Sequence, residues 1–218
     1  MRSYLRVALL ALGMVLPLPA TAVAQRRSVD AQRYDDTFRK YTKHYFGPAY
    51  DWRPFKAQGM AESNLDPLAR SWVGALGVMQ LMPSTFRQIR SQQPELQSIN
   101  SPDMNIAAGI MYDRTLWRQW AADSVDTARE HFMFASYNAG RRTILNAQVV
   151  ARRESLDVRD WAQIARVAPR VPRWRYQETL GYVAQIQANL VALDEGGRLT
   201  SEPTARRPAL HAPSRRRP

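Results

Sequence analysis

The run from Phe55 to Pro67 narrows the choice of fold more than any other part of the chain. Phe55, Gly59 and Glu62 fall at i, i+4 and i+7, which is one face of a 3.6-residue helix. That face is apolar except for the Glu62 carboxylate. Gly59 weakens a helix by about 1 kcal/mol relative to Ala, so its presence predicts a close approach by another group. Asp66-Pro67 stops the helix, because Pro disfavours the α conformation in the residue before it. Gly74 and Gly77 then punctuate a turn, and Gly77 opens an apolar run through Met79, Gln80 and Met82 to Pro83.

Helix starts and stops recur along the rest of the chain. Asp30 is placed to cap a helix running to about Tyr45, with Tyr34, Phe38, Tyr41 and Tyr45 as one aromatic stripe that packs against the domain. Asp51 is the expected N-cap of the Glu62 helix, with Pro54 in its first turn, where a missing N–H is tolerated. Ser84 reads as the cap of a helix that ends before Pro94. Ser101-Pro102-Asp103 opens another, rich in Met, Ile and Ala, with the acid near the positive end of the dipole. Asp126 is the expected cap of a helix through Phe132 that stops at Asn138-Ala139-Gly140. The Arg-rich stretch 141–173 holds one short helix around Trp161, Ile164 and Val167, closed by Pro169 and Pro172. A last helix runs from about Tyr176 to Leu193. No stretch alternates with period two and no repeat is present. The expected fold is all-α, a single helical domain with no substantial sheet.

The ends differ from this middle. Arg2 and Arg6, a short apolar run from Val7 to Leu18 and the Ala22-Val23-Ala24 site predict a cleavable export signal over residues 1–24. Pro17, Pro19 and the shortness of the run argue against a membrane anchor, so no stable membrane insertion is expected after cleavage. Residues 25–48 read as an N-terminal helical segment, 49–195 as the main domain and 196–218 as a basic, disordered tail. The net charge is +12, which favours polyanionic partners. Nucleic acid is the generic reading, and no recognisable nucleic-acid module supports it. There is no cysteine, the three histidines lie far apart, and no metal-ligand spacing or phosphate loop occurs, so neither a metal nor a cofactor is expected.

A lone Glu on an apolar face is commonly explained by snorkelling or by pairing with an Arg. The string around Glu62 points elsewhere. Glu62-Ser63, Pro67, Ser71, Gly74-Ala75, Gly77 and Met79-Gln80-Leu81-Met82-Pro83-Ser84-Thr85 resemble the catalytic signature of the soluble lytic transglycosylases, the SLT family. Asn105 to Tyr112 resembles that family's N-x-x-x-G-x-x-Y helix, which packs behind the catalytic one. Ala135-Ser136-Tyr137-Asn138-Ala139-Gly140 resembles its A-Y-N-A-G motif. Glu178-Thr179-Leu180-Gly181-Tyr182-Val183 resembles its E-T-R-x-Y-V motif, with Leu180 where an Arg is usual.

The resemblance implies a goose-type-lysozyme-like domain acting on the glycan strands of peptidoglycan in a bacterial periplasm. It implies Glu62 as the catalytic acid, with Ser71, Met79, Gln80, Met82, Tyr137, Asn138 and Glu178 around the substrate. Most glycosidases need two carboxylates, and the signature offers Glu62 with Asp66 as its only acidic neighbour. One acid suffices if the substrate supplies its own nucleophile, the 6-hydroxyl of N-acetylmuramic acid. An apolar pocket keeps such an acid protonated, and Met79, Met82 and the Phe55 face are the expected walls. Two readings stay open beside this one. Asp66 as a base would make a hydrolytic muramidase, and a site without turnover would make a wall-binding component of an envelope secretion or conjugation complex. Partnership with such a complex is also compatible with catalysis.

Overall fold

A computed structural model describes residues 32–121 and 129–200. The export signal, the Asp30 and Asp126 caps and the tail beyond Thr200 lie outside the described residues. The elements in order are α1 (Asp35–Phe46), α2 (Arg53–Ser63), α3 (Pro83–Gln92), α4 (Pro102–Ala121), α5 (Arg129–Ala139), α6 (Arg141–Arg153), α7 (Trp161–Val167), a 3₁₀ turn (Ala168–Arg170) and α8 (Tyr176–Val191). Among the described residues only isolated bridges, among them Leu76 with Leu81, occur between extended residues. The fold is all-α, as expected. Among the described residues no helix is long and apolar enough to cross a membrane.

Helix α2 lies at the centre, and every residue from Pro54 to Gly59 is buried. It packs against α8 and α1, while α4 supports α1 and α5. The Asp51 carboxylate accepts the Arg53 N–H at 2.9 Å, although Trp52 is the capping position and Asp51 stands one residue before it. The helix ends on Asn64 and Leu65, both left-handed (φ +56° and +63°), and their N–H groups return to Met60 and Gly59 carbonyls. This left-handed exit closes the helix before Asp66-Pro67 is reached. The expected close approach at Gly59 is real. A Cβ there would stand 3.1 Å from both Leu65 and Phe38 and 3.4 Å from the Met79 sulfur.

Three readings are corrected. Helix α3 starts at Pro83, with Met82 as its extended cap residue, so Ser84 lies inside the first turn. Pro at the first position presets φ and needs no N–H partner, which makes a Ser cap redundant. Helix α6, unread in the Arg-rich stretch, buries Ile144, Ala147, Gln148 and Ala151 at i, i+3, i+4 and i+7. At the other end, packed chain continues past Gly196, where the disordered tail was expected to begin. Thr200 N–H returns to Ala192 O at 2.8 Å. The fully buried Lys56 ammonium binds Asp35 Oδ1 at 2.5 Å and Gly197 O at 2.6 Å, which fastens this turn to α1 and α2.

Candidate active site

The signature loop between α2 and α3 closes part of its backbone on itself, with Leu76 and Leu81 exchanging both hydrogen bonds, and side chains satisfy other groups. Gly77 (φ +75°) comes so close to Asn105 of α4 that a Cβ would lie 2.6 Å from its amide nitrogen. Asn105 accepts the Met79 N–H at 2.8 Å and donates to the Leu76 and Ile99 carbonyls at 3.0 Å each. From the Glu62 helix, the Ser63 hydroxyl donates to Val78 O at 2.8 Å. Gln80 is left-handed (φ +45°), and its amide donates to Gly77 O at 2.9 Å and Ala69 O at 3.2 Å. The Asn105 helix thereby holds the loop in shape.

This loop forms one wall of a cleft of about 610 Å³, and the end of α5 with the first half of α8 forms the other. Glu62 lies between them, half-buried. The Tyr182 hydroxyl donates to its Oε1 at 2.6 Å. The Tyr137 hydroxyl donates to Met79 O at 2.8 Å and so ties the helical wall to the loop. Burial, with the Glu62 charge adding, pushes both phenols well above their ordinary value, so both stay protonated donors.

Of the expected residues, Glu62, Ser71, Gln80, Met82, Tyr137, Asn138 and Glu178 all line the cleft. Ser71 accepts the Ala75 N–H at 2.9 Å and shapes the turn. Asn138 accepts from the Thr179 hydroxyl at 2.8 Å, and Glu178 is bridged by Arg175 at 2.8 Å. Met79 is the exception. Its side chain is fully buried and fills the gaps left by Gly59 and Gly109, where a Cβ on Gly109 would lie 2.7 Å away. Met79 reaches the site only through its backbone carbonyl. Phe55 is likewise a core residue, its ring tilted at 47° to that of Phe46 with centroids 4.8 Å apart, and is no wall of the pocket. Among the predicted walls only Met82 faces the cleft.

Asp66 is exposed, accepts the Leu68 N–H at 2.8 Å and does not line the cleft. A different second carboxylate interacts electrostatically with Glu62. Asp113 of α4 is fully buried and accepts from Gln58 Nε2 at 3.4 Å. Burial pushes its carboxyl well above the usual range, Gln58 opposes this, and the Glu62 charge adds to it. Sequence reasoning passed over it because an acid inside an apolar helix pattern looks like a solvated position. Trp72 and Val73 were also missed, although both line the cleft wall and are exposed, Trp72 by 73%. An indole inside a Ser-Gly turn has little core to enter, which was the available signal. Among the described residues no group of three or more acidic or histidine side chains is placed to hold a metal ion.

The transglycosylase SLT domain matches residues 47–157. Similar proteins include the membrane-bound lytic murein transglycosylase F of Shewanella halifaxensis, 27% identical over 72% of this chain and 31% of its own length. That of Pseudomonas putida is 28% identical over 70% and 32%. The chain therefore spans about a third of the length of the curated relatives it matches. The 70 kDa soluble lytic transglycosylase of Escherichia coli superposes with a TM-score of 0.52 at 26% identity, over 71% of this chain and 23% of that one. The matched span holds the Glu62 helix, the signature loop and the Asn105 helix that fixes it, and α8 completes the cleft from outside that span. On this ground the chain belongs to the transglycosylase SLT family.

Proposed function

We propose that this protein is a peptidoglycan lytic transglycosylase, with Glu62 as acid and then base. The observation that carries this reading is the Tyr182–Glu62 hydrogen bond of 2.6 Å inside the 610 Å³ cleft. The phenol fixes the rotamer of a carboxyl that faces substrate, and orientation of a proton donor is the first requirement of general acid catalysis. Among the described residues the other carboxylate in the lining, Glu178, is engaged by Arg175. A site with one available carboxyl suits a substrate that brings its own nucleophile.

The steps follow from that inventory. Glu62 gives its proton to the glycosidic oxygen between N-acetylmuramic acid and N-acetylglucosamine as the C1–O bond breaks. The resulting carboxylate, steadied by Tyr182, accepts the proton of the muramic acid 6-hydroxyl, whose oxygen bonds to C1. The products are a free N-acetylglucosamine end and a 1,6-anhydro ring, and no water is consumed. Ser71, Gln80, Met82, Tyr137, Asn138 and Glu178 surround the sugars. The relatives' printed names, and the export signal read in residues 1–24, support action on murein in the periplasm. Asp66 as a hydrolytic base finds no support, since it does not line the cleft.

Mass spectrometry of the soluble products from purified sacculi tests the proposal. Muropeptides one water lighter than reducing ends are expected, with the rate falling about 10²–10⁴-fold in Glu62→Gln. Reducing ends would instead mean hydrolysis, and bound but uncut sacculi would mean a wall-binding module.

A further inference from the structure

Gln58 and Asp113 form a buried polar pair that the reaction does not use. Gln58 precedes Glu62 by one turn of α2 and lies on the same face. Both Gln58 and Asp113 are fully buried. One contact joins them, from Gln58 Nε2 to Asp113 Oδ1 at 3.4 Å. The two oxygens left over, Gln58 Oε1 and Asp113 Oδ2, are both buried and both without a hydrogen-bond partner. An ionised Asp113 would make this a pair of orphaned acceptors, each costly to leave unmade. A single proton on Oδ2 resolves both at once, since it turns that oxygen into a donor for Gln58 Oε1.

We propose that Asp113 is a neutral carboxylic acid that closes a two-hydrogen-bond ring with the Gln58 amide, an uncharged floor beneath the Glu62 face of α2. The surroundings agree. Glu62 acts on Asp113 from α2, Tyr137 and Tyr182 face it from α5 and α8, Tyr50 from the loop before α2 and Tyr112 from its own helix. Among the described residues, none of the groups acting on Asp113 is a cation. A bare carboxylate buried without one carries a large penalty, and such a group neutralises instead. Its consequence for the reaction rests on Glu62 being the acid: the carboxylate left after proton transfer meets no second fixed negative charge. The protonation state itself does not depend on that reading.

Asp113→Asn is the matching variant, because the amide reproduces the neutral acid's one donor and one acceptor toward Gln58. An Asp protonated in the fold and ionised in the unfolded chain contributes stability that is complete below the unfolded pKa of about 3.9. That stability is lost as pH rises toward the folded value. Asn does not titrate. Asp113→Asn is therefore expected to melt above the wild type at pH 7, with a gain that vanishes as pH falls to about 4. A lower melting temperature at pH 7, or a difference independent of pH, overturns the proposal. Infrared spectra of wild-type protein with isotope-labelled aspartate carboxyls give a reading that needs no variant. A protonated aspartic acid band at pH 7 supports the ring, and its absence overturns it. Neither readout uses turnover, so both separate from any failure of the Glu62 chemistry. On sacculi, the pH limits of the rate in Asp113→Asn are expected to match the wild type's. A shift of the alkaline limit to lower pH would expose Asp113 as a charged neighbour of Glu62 and sink the idea.

Discussion

The two walls of the cleft are built by opposite means. The loop wall, from Asn64 to Met82, passes through left-handed conformations at Asn64, Leu65, Gly74, Gly77 and Gln80. It has no repeating backbone ladder, and specific side chains on Ser63, Ser71, Gln80 and Asn105 bind it together. The helical wall, from the end of α5 and the start of α8, has its backbone satisfied within helices. It is positioned by packing of α8 on α2 and α5 and by one short chain, Trp174 Nε1 to Thr179 Oγ1 at 2.9 Å and on to Asn138 Oδ1 at 2.8 Å. A loop held by a few polar atoms concentrates its stability in those atoms. A wall held by helix packing spreads its stability over many contacts.

The sharpest test of that contrast is Asn105→Ala. It strands the buried Met79 N–H and removes the donor to two partly covered carbonyls. At about 1–3 kcal/mol for each buried group left unpaired, the loss is on the order of 3 kcal/mol. For a chain of this size that lowers the melting temperature by about 10 °C, measurable by calorimetry. Activity should fall further than the fraction unfolded accounts for, because Met79 O also anchors Tyr137. If Asn105→Ala melts within a degree or two of the wild type, the loop wall has another source of order.

Tyr182→Phe reads the junction of the two walls at Glu62. The ring's packing remains and only the hydroxyl that donates at 2.6 Å is lost. A donor to the ionised carboxylate favours the charged form, so its removal favours the protonated one. The alkaline limit of the rate on sacculi is expected to move to higher pH, with a loss of about tenfold at the optimum, since the second half of the reaction uses the carboxylate. An unchanged pH profile would reduce Tyr182 to a packing residue.

Thr179→Val probes the helical wall alone. It keeps the shape but leaves the buried Trp174 N–H without an acceptor, while exposed Asn138 turns to water. The expected loss is about 1–2 kcal/mol by thermal denaturation, below that for Asn105→Ala. A larger loss than Asn105→Ala would invert the comparison.

The same contrast explains what was legible in the sequence. The loop wall is written in fixed identities at fixed spacing, because Gly77 admits no Cβ against Asn105 and Gln80 must reach two carbonyls. Pattern matching finds such a wall, but it says nothing of direction, and so Met79 was given to the substrate although its side chain fills the core. The helices are written as periodicity and as start and stop signals, which gave α1 to α5, α7 and α8. These signals missed α6, where four Arg residues match in number the four positions that pack and one of those four is the polar Gln148. Asp113 was illegible for a different reason. Whether a carboxyl on a helix is solvated or buried depends on which face meets its neighbours, and that is decided by the tertiary fold.

The smallest expected effect belongs to the exposed side chains at the tip of the loop wall. Trp72 projects from the turn between Ser71 and Gly74, exposed beside Val73 within the cleft lining. Leu68, further back on the same loop, is 84% exposed. Because Trp72 is little buried, Trp72→Ala should leave the folding stability unchanged to within about 0.5 kcal/mol, read by thermal denaturation. Its indole face is available to a sugar ring, and an aromatic contact of this kind contributes about 0.5–1.5 kcal/mol. A rise in KM of a fewfold with kcat preserved is therefore expected on soluble glycan fragments, where binding is not masked by the insoluble wall. A change in kcat with KM constant would place Trp72 with the atoms that shape Glu62's surroundings. The loop wall would then be continuous from Ser63 to its tip, with no separate, loosely held outer portion.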